Sequence, residues 1–178
     1  MGREVRRVPA NWKHPLDARG NEIPLHDGYN KRVAEWDEEN AKWAEGLRSD
    51  HNGGWKPIEE EYQGRPFSDW DGERPVAADY MPDWPQAERT HFQMYETCTE
   101  GTPISPVMET PEVLARWLAD NGASSFGSQT ATYEQWLGMI GEGWAMSAVM
   151  VGGVIQSGVA AVGEPAYRRD HEWPDVIE

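Results

Sequence analysis

The chain has 178 residues and a formal net charge of −15, with 38% apolar residues, 18 Gly, 13 Pro, ten Trp and a single Cys. One cysteine excludes an intramolecular disulfide and a cysteine-rich zinc site, and an acidic field repels nucleic-acid phosphates and anionic membranes, which argues against direct binding of either. No apolar run reaches the roughly 20 residues a membrane span needs, and the basic start "MGREVRRVPANW" lacks the apolar core of a secretory signal.

The charge is uneven. Residues 1–26 carry five Lys/Arg against three Asp/Glu, residues 27–100 eight against eighteen, and residues 101–178 three against ten. Aliphatic residues are scarce, so large aromatic rings, each burying roughly 150–250 Å², are expected to anchor the core.

In chain order, residues 1–48 are predicted as an extended arm followed by a helix. Pro9, Pro15 and Pro24 break the arm. The helix is predicted to begin after Asn30, with Val33, Trp36, Asn40, Trp43 and Leu47 as one seam at heptad spacing. Residues 49–88 have no periodicity and mix acids, Pro and Trp, as in a linker or loop. Trp55, Trp70 and Trp84 stand out there as anchors for a partner, because Trp is enriched at binding hot spots.

Residues 89–165 are predicted as an α+β domain: strand, helix, helix, hairpin, with the helices on one face of a small antiparallel sheet. "HFQMYET" alternates as a strand does, with Phe92 and Met94 on one face and Gln93, Tyr95 and Thr97 on the other. Thr110 followed by Pro111 starts one helix, and Thr132 with Gln135 forms a capping box for the next. Gly152 and Gly153 are placed as the two-residue turn of the hairpin, and residues 166–178 as a polar tail.

The chemistry-bearing candidates are few. Cys98 lies between Glu96 and Glu100, which would raise a thiol's pKa, so it reads as a small strand-end residue rather than a nucleophile. No two of His14, His26, His51, His91 and His171 have helical metal-pair spacing, so no metal, cofactor or catalytic residue is assigned. The loop "TCTEGTPISP" offers hydroxyls and amides in a Pro-stiffened bend. Tyr95, Thr97, Thr99, Thr102 and Ser105 would line a small-molecule or nucleotide site there, with the helix at Thr110 facing an anion.

"REVRRVPANWKHPLD", "YETCTEGTPISPVMETPEVLARWLADNGAS" and "TATYEQWL" resemble a group of small accessory proteins carried by bacterial viruses and prophages. The resemblance brings no activity and no site residue. It implies expression in a bacterial host cytoplasm. Together with the charge, it leads to the expectation of a non-enzymatic protein that binds a host or phage protein with a basic groove through its acidic, Trp-rich surface, and so blunts a host function. The two alternatives are ligand binding at the Thr97–Ser105 loop and a structural place in the virion. The oligomeric state is left open.

Overall fold

A computed structural model of the chain describes residues 2–50, 52–97, 101–151 and 153–163. The expectations for His51, Cys98, Thr99, His171, the turn residue Gly152 and the tail at 166–178 fall outside these residues. In chain order the elements are β1 (Arg3–Val8), α1 (Tyr29–Ala44), β2 (Leu47–Ser49), β3 (Trp55–Pro57), α2 (Ser68–Asp71), β4 (His91–Glu96), β5 (Thr102–Pro103), α3 (Pro111–Asp120), α4 (Tyr133–Glu142), β6 (Trp144–Ala145), β7 (Ala148–Val151), β8 (Val154–Ser157) and α5 (Gly158–Gly163), with single turns of 3-10 helix at Glu60–Tyr62, Ala77–Asp79 and Gln86–Glu88.

The fold is α+β, as expected, but its division into units differs from the predicted boundaries at 48 and 88. One unit joins residues 1–25 to the chain from Trp84 onward, and the other is His26–Asp83. The arm is not a separate piece. Its β1 is an interior strand of an antiparallel sheet ordered β5-β4-β1-β6, paired with β4 from Arg3↔Glu96 to Val8↔His91. The hairpin of β7 and β8 has the expected two-residue register, Val151↔Val154, yet it forms a sheet of its own instead of extending the larger one.

Strand alternation gives the four-stranded sheet two faces. Val5, Phe92 and Met94 turn toward the helices, where Leu114, Leu118, Trp136, Met139 and Val159 make the core. Each fully buried side chain of this kind contributes about 1.5–3 kcal/mol of transfer free energy. The helix starts follow the predicted chemistry: the Thr110 hydroxyl accepts from the Val113 amide, and Thr132 and Gln135 satisfy each other's backbone amides. α5 was not anticipated from "GVAAVG". Its glycines admit close packing, since a Cβ on Gly158 would stand 1.9 Å from the Met146 carbonyl and one on Gly163 2.4 Å from the Gln135 Cα.

The second unit joins the predicted helix to most of the segment expected as a linker or loop. α1 starts one residue before Asn30, behind a left-handed Gly28, and ends at Ala44, so Leu47 of the supposed seam lies in β2 instead. Trp43, Ile58 and Phe67 form the core, with Trp36 and Tyr62 packed against it. The Trp43 indole donates to the Arg65 carbonyl at 2.8 Å. Arg32 pairs with Asp71, Arg48 with Glu59, and Arg74 with Asp37. Arg48 holds the Glu59 carboxyl at about 2. Beyond α1, aromatic rings and ion pairs replace aliphatic periodicity, and for that reason no helical or strand pattern announces the rest of this unit.

Candidate binding cleft

In the first unit, residues 9–25 fold back across the face of the sheet that turns away from the helices. Three hydrogen bonds hold them there. Arg6 Nη1 donates to the Leu25 carbonyl at 2.8 Å, the Leu25 amide donates to the Gly101 carbonyl at 3.3 Å, and Trp12 Nε1 donates to Tyr95 Oη at 3.1 Å. Where this segment meets β4 and the chain after β5, an open cleft of about 530 Å³ forms. Trp12 and His14 line it from the arm, Gln93 from β4, Pro103 and Pro106 from the β5 side, and Trp117 from α3.

The floor is a chain of hydrogen bonds whose donors and acceptors are fixed. Gln93 Nε2 donates to the Ser105 carbonyl at 2.8 Å, which turns Oε1 toward Tyr95, whose hydroxyl donates to it at 2.8 Å. Ser105 Oγ accepts from the Met94 amide and donates to the Pro106 carbonyl, both at 2.9 Å, so it is committed to the backbone. Burial pushes the Tyr95 hydroxyl up to about 12, against the opposing effects of the Trp12 hydrogen bond and of Arg6, whose guanidinium lies 4.4 Å from the ring centroid.

His14 stands at the edge of this floor. Its Nε2 lies 2.6 Å from the Ile23 carbonyl. A carbonyl only accepts, so Nε2 carries the proton and Nδ1 of the neutral ring keeps its lone pair, 3.5 Å from Tyr95 Oη. Burial is the largest influence on His14 and lowers its pKa from the ordinary 6.5, while the Ile23 carbonyl and Glu22 act the other way. A histidine held neutral in the fold binds its proton less readily than in the unfolded chain. Stability is therefore full above the unfolded value of 6.5 and falls as pH drops below it, down to the folded-state value. The expected result is a urea midpoint that declines between about pH 7 and pH 5, with His14→Gln removing part of that slope. Equal slopes in the two proteins would contradict this picture.

Of the predicted ligand-site residues, Ser105 lines the cleft, and Tyr95 is fully buried beneath it, hydrogen-bonded to Gln93. Thr97 lies past the end of β4, its amide donating to the Gly2 carbonyl at 3.1 Å. Thr102 pairs with Glu96 and so shares the opposite face of the sheet from Tyr95. The start of α3 already holds a carboxylate: Glu112, in the first turn, is kept below the usual range by its own backbone amide and the Thr110 hydroxyl. Trp12, His14, Gln93 and Trp117 were not singled out. The one local signal was alternation, which puts Trp12 with His14 and Gln93 with Tyr95 on common sides of extended chain.

The three Trp residues proposed as partner anchors do not share a unit. Trp84 packs edge-to-face on Trp12 at 4.7 Å, in the first unit. Trp55 and Trp70, in the second, are 37% and 38% exposed, and Trp70 stacks with Tyr62, Trp43 and the Arg48 guanidinium. Among the described residues there is no group of three His, Cys, Asp or Glu placed to hold a metal ion, and no helix is long and apolar enough to cross a membrane. No family model matches the chain, and neither a curated protein nor a solved structure matches it.

Proposed function

We propose that this chain is a non-enzymatic accessory protein of a bacterial virus that acts in the host cytoplasm, and that its cleft seats an extended, proline-containing segment of a protein partner. The observation that carries the reading is the cleft's division of labour. Its floor of Gln93 and Ser105, with Tyr95 buried beneath, is satisfied from within, while its walls are the rings of Trp12 and Trp117 and the prolines 103 and 106. Open grooves lined by aromatic rings suit preformed extended segments, which lose little entropy on docking and stack proline against the rings. Lys13 and Glu22 balance each other at the rim, so shape selects the segment. The net charge of −15 steers a partner with a basic surface toward the protein. The resemblance of the arm and of the "EGTPISP" region to phage accessory proteins supports the context.

The test uses a proline-rich peptide flanked by lysines and isothermal titration against the full chain. Trp117→Ala is expected to weaken binding about 10- to 30-fold, the effect of removing one aromatic anchor. Trp55→Ala and Trp70→Ala leave it unchanged. Circular dichroism of each variant checks that the fold persists. The reverse pattern would move the site to the acidic surface of the second unit. No peptide binding, with thermal stabilisation by nucleotides or sugars instead, would replace the partner by a small molecule.

A further inference from the structure

The sequence contains two Asn-Gly pairs, Asn52-Gly53 and Asn121-Gly122. The fold gives them opposite surroundings. Asn121 closes α3. Its side-chain amide donates to the Trp117 carbonyl at 2.8 Å, and the Gly122 amide donates to the Ala119 carbonyl at 3.2 Å. Asn52 lies in the loop that joins Ser49 of β2 to Trp55 of β3, and both it and Gly53 are exposed. Asp50 Oδ1 anchors this loop by accepting from the Asn52 and Gly54 amides, each at 2.8 Å. The Gly53 amide between them has no acceptor among the described residues. The Asn52 side-chain amide makes a longer contact, 3.3 Å, to the Asp50 carbonyl. Gly53 has φ +83 and open space where a Cβ would stand.

We propose that Asn52 is a site of self-modification, converting to aspartate and isoaspartate while Asn121 is protected by its helix cap. The Gly53 amide nitrogen, after losing its proton to a solvent base, attacks Asn52 Cγ. The new C–N bond forms as the Cγ–Nδ2 bond breaks, and ammonia leaves a five-membered succinimide. Water then opens that ring at either carbonyl. Any residue but glycine would shield the attacking nitrogen with its Cβ. At Asn121 the same attack first requires two hydrogen bonds to break, one on the side chain and one on the nucleophile. The product at residue 52 carries a new carboxylate beside Asp50. In the isoaspartyl form the main chain gains a carbon, which shifts the Gly54 amide from Asp50 and loosens the β2–β3 turn. This inference is independent of the cleft.

The test incubates the full chain in mildly alkaline buffer and measures isoaspartate at each site, by peptide mapping with enzymatic methylation of the isoaspartyl carboxyl. Asn52 is expected to convert at least about tenfold faster than Asn121, the effect of two hydrogen bonds of ordinary strength. In denaturing urea the two rates are expected to converge, because the fold is what separates them. Gly53→Ala is expected to remove most conversion at residue 52 and to leave Asn121 unchanged. The space around Gly53 is open, so circular dichroism of this variant matches the parent. No isoaspartate at residue 52, equal rates in the folded chain, a difference that persists in urea, or a Gly53→Ala variant that converts as fast as the parent would each overturn the proposal.

Discussion

Gly101→Ala is expected to detach residues 9–25 from the sheet and to lower the unfolding free energy by about 3 kcal/mol or more. Gly101 has φ +93, a conformation that costs other residues about 1–3 kcal/mol. A Cβ there would also stand 1.9 Å from the Leu25 carbonyl oxygen. That oxygen accepts from Arg6 Nη1, and the Leu25 amide in turn donates to Gly101. Relieving the overlap breaks both hydrogen bonds, at about 0.5–1.5 kcal/mol each, and leaves the buried Arg6 guanidinium short of a partner. Gly20→Ala is the control. Its φ is +84 but nothing lies within 4 Å of the added carbon, so it carries the backbone strain alone. Urea unfolding gives the two costs, and amide exchange at Leu25 reports the arm. Equal losses from the two substitutions would show that the arm does not depend on this contact. Because Trp12 and His14 ride on the arm, Gly101→Ala is also expected to abolish whatever binds in the cleft.

What the sequence disclosed follows the range of the interactions involved. α3 and α4 were legible because their signals are local: a capping hydroxyl, a proline at the first turn and an apolar stripe lie within one segment. The strand character of β4 was legible for the same reason. β1 was not recognised as an interior strand, since Arg3 and Arg6 in "REVRRV" look like surface residues. They are buried only because partners more than a hundred residues away for Arg3, and 19 away for Arg6, meet them in the fold. In the second unit only α1 showed a period, through Trp36 and Trp43; the rest was hidden because what packs on that helix is Ile58, Phe67 and Tyr62, a set too sparse to give one. Of the cleft, Ser105 and the Tyr95 buried beneath it could be read from the sequence, because they flank one loop. Trp12 lies 83 residues from Tyr95, so no spacing rule could unite them. The hydroxyls of Thr97 and Thr102 misled for two reasons: Thr97 lies beyond the end of β4, and Thr102, paired with Glu96, is on the face of the sheet opposite Tyr95.

Arg3→Ala is expected to cost about 3–5 kcal/mol, the range for breaking one partner out of a buried ionic contact. Arg3 is 1% exposed on the helix side of the sheet. Its Nε and Nη2 donate to the Ser124 carbonyl and hydroxyl at 2.9 and 3.2 Å, and its Nη1 donates to the Gly2 carbonyl at 3.0 Å and stands 3.9 Å from Glu96 Oε1. Glu96 is directly opposite Arg3 in the β1–β4 register and is itself largely buried. Its Oε1 has no hydrogen-bond partner among the described residues, so Arg3 supplies the nearby positive charge. Truncating the arginine strands that carboxylate, frees the Ser124 backbone from the sheet and leaves a cavity. Replacing both residues, as Arg3→Met with Glu96→Gln, removes the charge and fills the space, and is expected to recover most of the loss. Urea unfolding of the two single variants and the double gives the coupling. Simple additivity of the single losses would mean that each residue acts through its own contacts, and that the sheet does not depend on this ion pair.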